Sequence, residues 1–147
     1  MVKKAVSGIG TLLILMALPG ADAKGASGFK VIASPQVKGT TMSRQMLAAV
    51  FLGKVERWGD GTRIVPIDLS AMSPVRATFS EATLGMPTLA VRRYWEGRLM
   101  GGGGGIPPMV KTSEEELIAA VAANQGAIGY VSEDVQLPES VKVLVVQ

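Results

Sequence analysis

The tetrapeptide Ser73-Pro74-Val75-Arg76 has the clearest capacity for chemistry in this sequence. A serine just before a proline opens a helix, and free backbone amides at a helix start attract negative charge. Ser73 therefore reads either as a helix cap or as a donor to a small oxyanion, with Arg76 as the nearest cation. Thr40, Thr41 and Ser43 form a second hydroxyl cluster ahead of an apolar helix, where Thr41 and Ser43 offer the same two readings. Three contiguous carboxylates, Glu114, Glu115 and Glu116, follow Ser113 and read as a capping box rather than a metal site. The glycine run at residues 101–105 lacks the following Lys-Ser or Lys-Thr that a nucleotide-binding loop requires. It reads, with Pro107 and Pro108, as a mobile loop.

What is missing narrows the chemistry further. The 147 residues include no His and no Cys. Thiol nucleophiles, cysteine-ligated metals, disulfides and histidine acid–base catalysis are excluded. No G-x-S-x-G elbow is present, so a non-enzymatic role without a cofactor is expected. Fifteen basic residues against twelve acidic ones give a net charge of +3, too even a balance for nucleic acid.

The elements that must position these residues follow from periodicity. Residues 29–34 alternate and stop at Pro35, as a strand does. A helix follows, with Met46, Leu47, Val50 and Phe51 on its apolar face and Gly53 at its end. Residues 63–69 (RIVPIDL) read as a strand whose Pro66 demands an edge or a bulge. A helix capped by Ser73 buries Val75, Phe79 and Ala82; the next, opened by Pro87-Thr88, buries Val91, Trp95 and Leu99 and pairs Arg92 with Glu96. A helix after Ser113 carries Leu117, Ile118 and Val121 inward, and residues 127–131 and 141–146 close the chain as strands, the last apolar enough to be central. The order β-α-β-α-α-α-β-β predicts one α/β domain with a mixed sheet flanked by helices.

Ahead of that domain, Lys3 and Lys4 precede an apolar stretch at residues 5–18, then Pro19-Gly20 and Ala21-Asp22-Ala23. Basic end, short apolar core and small-residue exit describe a secretory signal peptide, residues 1–23. The domain then occupies residues 24–147 of a periplasmic or secreted protein. Cleavage would remove Lys3, Lys4 and Asp22 and leave 13 basic and 11 acidic residues, a net +2.

Three segments resemble the periplasmic phosphate-binding proteins of ATP-driven uptake systems, the type II solute-binding fold. Residues 42–58 (MSRQMLAAVFLGKVERW) are similar to that family's LSR-x-x-L-x-x-I-F-x-G-K-I run. Residues 64–67, then 73–79 (SPVRATF), sit where the family has a strand, an SGT triplet and a helix. Residues 125–131 (QGAIGYV) are close to its PGAIGYV. The resemblance implies a three-layer lobe like one domain of such a protein. It also implies phosphate or another small oxyanion as ligand, at Ser73, Arg76, Thr41 and Ser43, and an ABC transporter or other protein as partner.

Departures from the pattern point to weak binding. Family members are about twice as long, and this sequence resembles the part near their second lobe. Pro74 has no amide hydrogen and Val75 no hydroxyl where the triplet supplies donors. Leu69 stands where the family carries its anion-clamping arginine. The alternative these departures favour is a non-catalytic interaction module that kept the fold and lost the ligand.

Overall fold

The computed structural model describes residues 28–147. The signal-peptide reading of residues 1–23 lies outside the described residues. The elements are β1 (Phe29–Ala33), β2 (Thr41–Met42), α1 (Arg44–Phe51), β3 (Val65–Leu69), α2 (Pro74–Phe79), a π-helical turn (Ser80–Leu84), α3 (Thr88–Met100), β4 (Met109–Lys111), α4 (Glu114–Ala123), β5 (Ala127–Ser132) and β6 (Lys142–Val146). Among the described residues, no helix is long and apolar enough to cross a membrane.

The six strands form one mixed sheet in the order β2-β6-β1-β5-β3-β4. β1 lies antiparallel between β5 and β6, while β5, β3 and β4 are parallel, as are β2 and β6. Five strands therefore run one way and only β1 the other. Successive side chains of β5 show how the layers are stacked, because neighbours on a strand point to opposite faces. Gly129 lies against Leu117 and Val121 of α4. Tyr130, the next residue, stacks flat on Phe79 of α2 at 3.8 Å. The two helices thus cover opposite faces, giving the three layers the sequence predicts.

Both faces of the centre are dry. Ile32, Ile67, Phe79, Leu117, Ile128 and Tyr130 are fully buried. At roughly 1.5–3 kcal/mol for each large apolar side chain taken out of water, this core is the main stabilising term. A Cβ on Gly129 would meet Leu117 Cδ2 at 2.8 Å and the Ile67 carbonyl at 3.2 Å, so any larger residue here would push α4's side chains aside.

Several local expectations need correction. Two short strands, β2 and β4, were not expected; β2 falls in the Thr40–Ser43 cluster, and β4 follows the glycine run. Pro66 fits its position because β4 pairs only with Ile67–Leu69, leaving no ladder partner on that side of Pro66. β6 is interior but not central, and Val143 and Val145 are exposed on the face that α4 leaves uncovered. Leu99 is exposed, since α3 reaches the core only through Val91 and Trp95. After α2 the buried positions are Phe79, Ser80, Thr83 and Leu84, whereas Ala82 is half-buried. The glycine run is held rather than loose: Arg98 donates to the carbonyls of Gly103 and Gly104 and to that of Leu52.

Candidate functional site

Because β2, β3 and β4 point the same way, α1, α2 and α4 all begin at one edge of the sheet. Each start is capped by a serine. The Ser43, Ser73 and Ser113 hydroxyls accept from the amides of Met46, Arg76 and Glu116 at 3.1, 3.4 and 3.1 Å. β3 and β4 are neighbours, yet their helices leave to opposite faces. Open α/β sheets bind ligands in the crevice that such a divergence creates. The loop after β3 carries Ser70 and Ser73, and the loop after β4 carries Thr112 and Ser113. The amide of Ser70 ties the two loops together by donating to Lys111 at 2.9 Å.

The α2 side of the crevice is uncharged at its surface and charged beneath. Its first turn carries no acidic residue. Pro74 has no amide hydrogen, the Arg76 amide is taken by Ser73, and the Ala77 amide donates to the Ser73 carbonyl. The Val75 amide has no hydrogen-bond partner among the described residues. Below it, Arg76 is buried, and its Nη1 lies 2.8 Å from Asp68 Oδ2. The same nitrogen donates to the Leu69 carbonyl at 2.8 Å, and Nε reaches Ser80 Oγ at 3.4 Å. The Tyr130 hydroxyl and the Leu69 amide donate to Asp68 as well. Burial pushes the Asp68 carboxyl above its ordinary range, with Arg76, Tyr130 and the Leu69 amide pulling it back. Burial, and then the Asp68 charge, hold the Tyr130 hydroxyl protonated.

The α4 side is saturated by its own carboxylates. Glu116 accepts from the amide and hydroxyl of Thr112 at 3.1 and 2.8 Å. Glu114 accepts from the amide and hydroxyl of Ser132 at the end of β5. The box reaches one residue further back than expected, to Thr112 rather than Ser113. The Thr112 bonds hold the Glu116 carboxyl below its ordinary value.

The residues expected to meet a ligand do not converge. Ser73 lies at the crevice. Arg76 sits beneath it, engaged by Asp68. Thr41 and Ser43 are exposed at the far side of the sheet, and β2 is four strand steps from β3, about 19 Å at the usual spacing. Asp68 and Tyr130 were missed. The signal was a carboxylate inside RIVPIDL: a strand covered on both faces cannot hold an Asp without a partner.

Neither a protein-family model nor a curated protein matches the sequence. Solved structures do match its fold. An ABC-type phosphate transport receptor from Vibrio cholerae superposes with a TM-score of 0.62 at 18% identity, over 81% of this chain and 46% of that one. A putative phosphate ABC transporter substrate-binding protein with bound phosphate, from Clostridium perfringens, gives 0.64 at 18%, over 81% and 44%. PstS from Borrelia burgdorferi gives 0.64 at 17%, over 82% and 47%. The chain spans less than half the length of each, so the likeness covers about one lobe. The fold is that of one lobe of these binding proteins. The neighbours are described as receptors and substrate-binding proteins, not as enzymes.

Proposed function

We propose that the chain is a non-enzymatic solute-binding-type lobe that touches phosphate or a similar oxyanion weakly, at Ser73 and the Val75 amide. Exported after loss of residues 1–23, residues 24–147 would do this outside the cytoplasm. The observation that carries the reading is the closed Asp68–Arg76 pair. A guanidinium already matched to a buried carboxylate cannot also clamp an anion in the crevice, so the strongest recognition group is spent on the fold. What remains is a helix start worth ~0.3–1 kcal/mol to an exposed anion. Micromolar binding requires about 8 kcal/mol. The structural neighbours, one of them with bound phosphate, support the ligand class.

Titration of the full chain with inorganic phosphate, followed by calorimetry and amide shifts at Ser73 and Val75, tests this. Binding should be about millimolar or weaker and should decline with added salt. Micromolar affinity abolished by Ser73→Ala would overturn it.

One observation favours a second reading, a protein-interaction module. Met72, beside Ser73 in the same loop, is 89% exposed. A protein surface closing over this loop would take that side chain out of water. The partner we propose for it is an ABC transporter component.

A further inference from the structure

A cavity of about 350 Å³ lies two strands away from the α2 crevice, enclosed by β1, β6, the first residue of α1 and the π-helical turn. Its floor is apolar, made by Phe29, Val31 and Leu144, while Arg44, Ala82 and Thr83 line the rest. Lys30 also borders it, but its ammonium donates to the Val135 carbonyl at 2.5 Å. Arg44 makes no ion pair among the described residues, leaving its guanidinium as the cation available there.

Thr83 supplies an independent pointer. It is only 9% exposed, lines the cavity, and its hydroxyl makes no hydrogen bond among the described residues. A threonine hydroxyl in a helix ordinarily bonds the carbonyl one turn back, as Thr78 does to Pro74 at 3.2 Å. Thr83 lies in the π-turn and makes no such bond. π-turns recur at functional sites. The hydroxyl opens onto the cavity and is free to meet whatever enters it.

We propose that this cavity binds a small amphipathic carboxylate, its hydrocarbon part over Phe29, Val31 and Leu144 and its carboxylate between Arg44 and Thr83. The volume is that of a small-molecule site, with an apolar floor and polar groups around it. One planar guanidinium matches a carboxylate edge to edge. Inorganic phosphate has no apolar part to cover the floor. The site is independent of the α2 crevice, and either can fail without the other.

Hexanoate, 1-hexanol and inorganic phosphate, each titrated into the full chain, separate the contributions. Hexanoate should shift the amides of Ala82, Thr83 and Leu144, and bind more tightly than hexanol. Phosphate should leave those amides unmoved, whatever it does at Ser73. Arg44→Gln, at an exposed position, should weaken hexanoate by roughly tenfold, the worth of one charge-assisted hydrogen bond, and leave hexanol unchanged. Thr83→Val should weaken hexanoate several-fold. Ala82→Leu should fill the cavity and abolish both organic probes without lowering the melting temperature. The proposal fails if hexanoate leaves these amides unmoved, if Arg44→Gln binds it as well as the parent does, or if hexanol binds equally tightly.

Discussion

Helices α2 and α4 leave the same edge of the sheet from neighbouring strands, each behind a serine, and solve the electrostatics of a helix start in opposite ways. α4 brings three carboxylates to its own first turn, and Glu114 and Glu116 satisfy the loops around it. α2 brings none. Its charges are buried one layer down, where Asp68 and Arg76 answer each other. A start filled with its own carboxylates repels an anion, while an empty start above a neutralised ion pair only fails to attract one strongly. Capping, the common sequence signal of both, says nothing about which kind of start it marks.

Breaking the buried side of this comparison should have the largest effect. Asp68→Ala leaves Arg76 charged and without a carboxylate in the core, and should cost about 3–5 kcal/mol of unfolding free energy in denaturant titration. Replacing the whole network, with Asp68→Leu, Arg76→Met and Tyr130→Phe together, should recover most of that loss, because buried ion pairs seldom exceed apolar packing of like volume. If the triple variant is as unstable as the single one, the network is needed for more than charge balance.

The caps come next. Ser113→Ala should cost ~1–2 kcal/mol and Ser73→Ala ~0.5–1 kcal/mol, in line with the tighter bond at 3.1 Å than at 3.4 Å. Thermal unfolding of the two variants side by side ranks them. The opposite ranking would mean that Ser73 does more than hold its helix.

The smallest effect is also the sharpest, since its sign differs between the two regions. Asp68 has a raised value in the folded chain, so the folded state keeps its proton longer. Its contribution to stability is present below the ordinary carboxylate value and is lost as pH rises through the raised one. Glu116 has a lowered value, so its contribution is present above the ordinary value and is lost as pH falls through the lowered one. Unfolding measured at about pH 3 and about pH 6 should therefore shift one way in Asp68→Asn and the other way in Glu116→Gln. Shifts of the same sign would break the contrast.

The sequence made the capped starts legible because capping is local: Ser73-Pro74 and Ser113 with Glu116 lie within one turn. The strands at residues 29–33, 65–69 and 127–132 were legible for the same reason, as short apolar runs ended by Pro, Ser or Gly. The Asp68–Arg76–Tyr130 network was not, because it joins a strand, a helix and another strand far along the chain. Arg76 read as the cation nearest Ser73, three residues on, and only the packing of α2 against β3 and β5 turns it inward. β2 and β4 were hidden because two or three residues carry no measurable alternation. The π-turn leaves no periodicity of its own, and with it Thr83 was invisible.

The position of β1 between β5 and β6 has a consequence for how the molecule reaches its native state. Val31 pairs with Tyr130 on one side and Leu144 on the other, so the first described strand waits for the last two. Closing a loop of roughly a hundred residues costs about 2 kcal/mol more than closing one of ten. Contacts this distant in sequence slow folding, and no smaller sheet can close around β1 in the meantime. A ribosome would release residues 34–126 before the central strand had either neighbour, so these strands assemble as one unit rather than piece by piece.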